Sequence, residues 1–147
     1  MTLDNLIGKT LEAITPDAAA IKRLLEAAAR NIADAKLDGL SNENKFDMAY
    51  KAIMQLANAA LQASGYRTLT SKPGHHQTMI QSLPKTVGLA IEQMIILDSL
   101  RKQRNVADYS GDLVTESAMQ ECLAQAASLY EIVSIWLAEH HSEIMGK

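Results

Sequence analysis

Residues 15–39 read TPDAAAIKRLLEAAARNIADAKLDG, and this stretch decides the fold. Ile21, Leu24, Leu25, Ala28, Ile32 and Ala35 recur at spacings of three and four, the period of an α-helix with one apolar face. At its head, Thr15-Pro16-Asp17 combines a capping hydroxyl, a proline suited to the first helical position and an acid beside the positive end of the helix dipole. At its tail, Gly39 follows the last turn as a stop.

The same period continues downstream. A second helix is predicted from about Asn44 to Ser64, with Phe46, Ala49, Ile53, Leu56, Ala57, Ala60 and Leu61 on one face and Gly65 closing it. Residues 65–74, GYRTLTSKPG, lack a helical repeat and are rich in turn formers, so they read as a loop. A third helix starts near His75 or His76, carries Met79, Ile80 and Leu83, and should break or kink at Pro84 or Gly88. A fourth runs from about Leu89 past Arg104, and a turn follows at Ser110-Gly111-Asp112. Thr115, a plausible N-cap succeeded at once by Glu116, opens the last helix, with Met119, Leu123, Ala126, Val133, Trp136 and Leu137. No alternating β pattern, repeat or linker interrupts this order. The 22 alanines imply close helix–helix approach. The expected fold is all-α: one domain over residues 1–147, built as an up-and-down bundle.

Composition excludes several classes. The 147 residues are 48% apolar and 21% charged, too apolar and too balanced for a disordered chain. Apolar runs fall well short of the ~20 residues a membrane helix needs. A single cysteine, Cys122, provides no disulfide framework, and MTLDNLIGKTLEAIT lacks the basic start and apolar block of a signal peptide. A cytoplasmic domain that stays off the membrane is expected. The net charge of −3 hides an uneven distribution: residues 1–104 hold 13 basic and 10 acidic side chains, and residues 105–147 hold one and seven. Between Asp47 and Glu92 there is no acid at all, while Lys51, Arg67, Lys72 and Lys85 lie there with His75 and His76.

The densest polar cluster runs from Arg101 to Tyr109. Arg104 falls on the helix face of Leu97 and Leu100, where an unpaired charge would cost several kcal/mol if buried. The plain reading is an i,i+4 ion pair between Arg104 and Asp108, with Tyr109 packing at a helix end. The functional reading is an anion site, because guanidinium binds phosphate bidentately. His75 and His76 sit where the loop enters a helix. With Lys72 and backbone N–H groups they make either an anion cradle or a solvent-facing pair. One metal ion cannot easily use both rings, since adjacent helical side chains point ~100° apart, and no metal or cofactor motif is present. His140 and His141 read as part of a solvated tail, and Cys122 as a buried, inert thiol.

At Arg101-Lys102-x-Arg104-Asn105-x-Ala107-Asp108-Tyr109, the sequence resembles the HEPN superfamily (higher eukaryote and prokaryote nucleotide-binding domains). Gly65-Tyr66-Arg67, Gly74-His75-His76 and the order of elements support the resemblance, which spans a core of about residues 17–138. It implies a bundle of four to five helices, a homodimer whose Arg-Asn helices line a shared cleft, and an association with nucleotides or RNA. Some members pair with a nucleotidyltransferase in toxin–antitoxin systems, and many resemble metal-independent ribonucleases that use an arginine followed by a histidine. Here Arg104 and Asn105 match the arginine and its polar companion. The histidine position holds Asp108, Tyr109 or Ser110, and the next histidine is His140.

The resemblance therefore points first to a dimeric binding module for a nucleotide, RNA or other phosphorylated ligand. Arg104 would clamp phosphate, supported by Arg101 and Asn105. Asp108 would orient Arg104, Tyr109 would stack or donate, and Lys72, His75 and His76 would add anion contacts. One alternative is a ribonuclease toxin using Arg104 with His75 or His76. The other is a structural or antitoxin-type partner without a ligand site.

Overall fold

The computed structural model describes residues 3–71, 74–111 and 113–145, with the side chains of Asp108 and Tyr109 outside that description. Five helices form the bundle: α1 (Ala18–Asp34), α2 (Asn42–Ala63), α3 (His75–Thr86), α4 (Ile91–Ser110) and α5 (Glu116–His140). The all-α expectation holds. Helix α2 is the centre, packed against α1, α3 and α5. Because neighbours surround it, twelve of its residues are buried, well beyond one stripe. Half of those twelve are alanines (Ala49, Ala52, Ala57, Ala59, Ala60 and Ala63), and they let the neighbouring backbones come close. Phe46, Ile53, Leu56 and Leu61 supply the bulk between them. Truncating one such leucine to alanine costs about 2–5 kcal/mol.

Several helix ends follow the sequence, and both ends of α1 depart from it: its C-cap is Ala35, four residues before the expected stop at Gly39. Thr115 Oγ1 accepts from Ala118 N at 3.1 Å, as its hydroxyl predicted. Ser41 caps α2 through Asn44 N at 3.1 Å. At α1 the cap is Asp17 in place of Thr15: its carboxylate accepts from the backbone N–H of Ala19 and Ala20, at 3.0 and 3.3 Å. Pro16 therefore precedes the helix, and the acid that was read as a dipole partner is itself the cap. Pro84 lies inside the last turn of α3, which continues to Thr86, and Gly88 (φ +73°) then turns the chain away.

Two further corrections concern segments read as irregular. Part of the predicted loop is a short strand, β2 (Tyr66–Thr68), pairing antiparallel with β1 (Leu11–Ala13) in the register Leu11–Thr68, Glu12–Arg67, Ala13–Tyr66. Bonds from Ile14 N to Gly65 O (2.8 Å) and from Leu69 N to Thr10 O (2.9 Å) extend the pairing at both ends. Gly65 has φ +95°, the left-handed conformation that turns the chain from α2 into β2. The C-terminal tail is also not freely solvated. Ile144 is buried, and the rings of His140 and His141 lie 6.2 and 4.8 Å from that of Trp136. Among the described residues, no helix is long and apolar enough to cross a membrane.

Candidate functional site

Three helices converge on a cleft of about 400 Å³ lined by Asp47 and Tyr50 of α2, His76 of α3 and Arg104 of α4, with α2 continuing along it through Gln55 and Asn58. Tyr50 ties its parts together. It is 2% exposed, its hydroxyl lies 3.2 Å from His76 Nδ1, and the Arg104 guanidinium carbon sits 5.1 Å from its ring centroid. The last contact is a cation–π interaction, worth ~0.5–2 kcal/mol depending on how dry it is. It gives the partly buried arginine a favourable surface.

Burial pushes the Tyr50 phenol up to about 12, overriding the opposing pull of the nearby Arg104 and Arg101 charges. Tyr50 therefore keeps its proton at neutral pH. His76 shifts in the other direction, below its ordinary value: burial is the main cause, followed by the charges of His75, Arg104 and Arg101. A protonated phenol beside a neutral imidazole can pair in two ways: when Nδ1–H donates to the phenol oxygen, Nε2 is left bare as an acceptor. When Tyr50 donates to Nδ1, the ring proton of His76 resides on Nε2.

The acid facing Arg104 comes from α2. Asp47 Oδ1 is 3.7 Å from Arg104 Nε, with side chains 52% and 32% exposed, so their attraction is screened by water. Arg101 is held by Asp98, Nε to Oδ1 at 2.8 Å, and both side chains are mostly buried. Its charge still reaches Tyr50 and His76. His75 packs edge-on against His76, ring centroids 4.8 Å apart, and does not line the cleft. Asn105 is exposed and is also outside the cleft wall. The expected roles of Lys72, and of the Asp108 and Tyr109 side chains, lie outside the described residues.

Thus the fold places Arg104 and His76 on one cleft, whereas His75, the other histidine considered as a partner for Arg104, does not line it. The fold adds Asp47 and Tyr50, which sequence reasoning missed. Their signal was present: three residues apart on α2, they put a carboxylate and a phenol on one side of an otherwise alanine-rich helix. Among the described residues, no three His, Cys, Asp or Glu side chains converge as metal ligands. Cys122 is fully buried, and burial pushes its thiol up to about 12, so it is no nucleophile.

A family model described as HEPN domain matches residues 21–136. Neither the comparison with curated proteins nor that with solved structures gave a match.

Proposed function

The chain belongs to the HEPN domain family, a nucleotide- or RNA-related module, and from that premise we propose that the α2–α3–α4 cleft binds a phosphate of a nucleotide, an RNA or another phosphorylated ligand. One observation carries the reading: Arg104 and His76 line the same cleft and are held by the same tyrosine. Guanidinium presents paired N–H donors to phosphate oxygens, and partial shielding from water strengthens the contact. Neutral His76 adds a donor or acceptor without the desolvation cost of a second cation. Arg101, kept in place by Asp98, adds positive potential behind the site.

The finer reading is a homodimer in which α4 of each subunit borders a shared cleft, serving a toxin–antitoxin or stress system with an antitoxin or nucleotidyltransferase partner. Support for self-association is the exposure of Ile91 and Ile95, one turn apart on α4. The test is Arg104→Ala. Loss of RNA or nucleotide binding with unchanged melting temperature and oligomeric state supports the phosphate clamp. Dissociation of the oligomer instead would assign Arg104 to an interface.

A second reading, metal-independent RNA cleavage, is favoured by the position of His76. The 2′-oxygen would attack the adjacent phosphorus as the bond to the 5′-oxygen breaks, leaving a 2′,3′-cyclic phosphate. With Nδ1–H donating to Tyr50, the bare Nε2 of His76 would take the proton of the 2′-hydroxyl, water would protonate the departing 5′-oxygen, and Arg104 would stabilise the added negative charge. Cleavage that persists in EDTA and vanishes in His76→Ala would support this. RNA left intact at high protein concentration would refute it.

A further inference from the structure

We propose that the far end of the cleft is a nucleobase subsite that selects keto bases, uracil and guanine, and that the ligand is accordingly a uridine or guanosine nucleotide, free or within RNA. The proposal rests on the phosphate reading of Arg104 and deepens it. Along α2 the cleft face passes from Tyr50 to Met54, Gln55 and Asn58, residues three and four apart that share one side of the helix. At the helical rise, Asn58 lies roughly 12 Å along the axis from Tyr50, with Gln55 between them. That length is comparable with one extended nucleotide whose phosphate sits at Arg104.

The chemistry of this end suits a base. Met54 and Met79, both nearly buried, supply polarizable thioether walls able to lie against an aromatic ring. Two amides supply the polar edge, and the oxygen of each already accepts one hydrogen bond from the protein. Gln55 Oε1 accepts from Asn31 Nδ2 at 2.9 Å, and Asn58 Oδ1 accepts from Gln62 Nε2 at 3.1 Å. Each NH2 group is left to face a ligand with two N–H donors while each oxygen keeps one lone pair, so donors outnumber acceptors along the edge. Uracil presents carbonyl oxygens, and guanine presents O6 and N7. Adenine and cytosine place an amino donor on the matching edge, and a donor set against a donor leaves both without partners.

The test is the affinity of the full chain for the 5′-monophosphates of uridine, guanosine, cytidine and adenosine, and for tetrauridylate against tetraadenylate. UMP and GMP should bind roughly tenfold more tightly than AMP and CMP, and Gln55→Leu or Asn58→Leu should each shrink that preference by roughly threefold. If only the tetranucleotides bind, with uridylate preferred, the proposal holds with RNA as the source. Equal affinity for all four bases, or a preference for adenine, overturns the base subsite and leaves the phosphate clamp standing. Absence of binding to every nucleotide and oligonucleotide overturns both. The profile of the unaltered protein decides by itself should either variant fail to fold.

Discussion

The Tyr50 hydroxyl lies 3.2 Å from His76 Nδ1, and the face of the same ring supports Arg104. One buried side chain thus sets the orientation of an imidazole and a guanidinium from different helices. Tyr50→Phe keeps the ring but removes the hydroxyl. It should cost about 1 kcal/mol of stability, read by denaturant unfolding, because Nδ1 loses its partner. Binding of the phosphorylated ligand should fall only a few-fold, since Arg104 retains its platform. Tyr50→Ala removes both supports and opens a cavity, and should cost about 3–5 kcal/mol, as large aromatic truncations do.

Acid should weaken the fold through His76. Its folded-state value lies below the ordinary 6.5, so at pH below 6.5 the unfolded chain binds a proton that the native imidazole refuses. The contribution is absent above pH 6.5 and becomes progressively destabilising as pH falls toward the native value. Melting temperatures measured from pH 7.5 down to 5 should therefore drop more steeply in the natural chain than in His76→Gln. Parallel curves would show that His76 titrates alike in both states.

Cys122 should be silent toward thiol reagents. With its side chain fully buried and its thiol held near 12, labelling by a disulfide reagent at pH 8 should follow the rate of global unfolding and become rapid only in denaturant. Cys122→Ser places a hydroxyl at the same point and should cost about 1–3 kcal/mol.

Gly65→Ala tests the turn into β2. A Cβ there would sit 3.6 Å from Ile14 O, an ordinary contact, so space is not the obstacle. The obstacle is φ +95°, which should make the substitution cost about 1–2 kcal/mol. Amide exchange at Ile14, whose N–H bonds to Gly65 O, should accelerate.

What was legible in the sequence is what local chemistry determines. The Thr115 cap and the stripes of α1 and α2 depend on residues within one or two turns of each other. The segment Thr15-Pro16-Asp17 holds two competing caps, and the pattern could not rank them; Asp17 prevails because its carboxylate reaches two N–H groups. Strand β2 is too short to show alternation, and its partner lies more than fifty residues earlier. Arg104 was visible because a cation on an apolar stripe demands an explanation. Its actual surroundings were not visible: Asp47 and Tyr50 come from another helix, and an isolated tyrosine in an alanine-rich face reads as filler. The approach of His76 to Arg104 is a product of how α3 and α4 pack on α2, and no spacing along the chain encodes it.

The pairing of β1 with β2 has a mechanical consequence. It fastens the start of the chain to the segment that leads into α3, whose second residue is His76. The N-terminal clip and the imidazole are therefore in series, like a guy rope and the mast it steadies. A protease nick between β1 and α1, or a bulky fusion that pries β1 loose, would leave all five helices covalently intact and yet slacken the anchorage of one wall of the cleft.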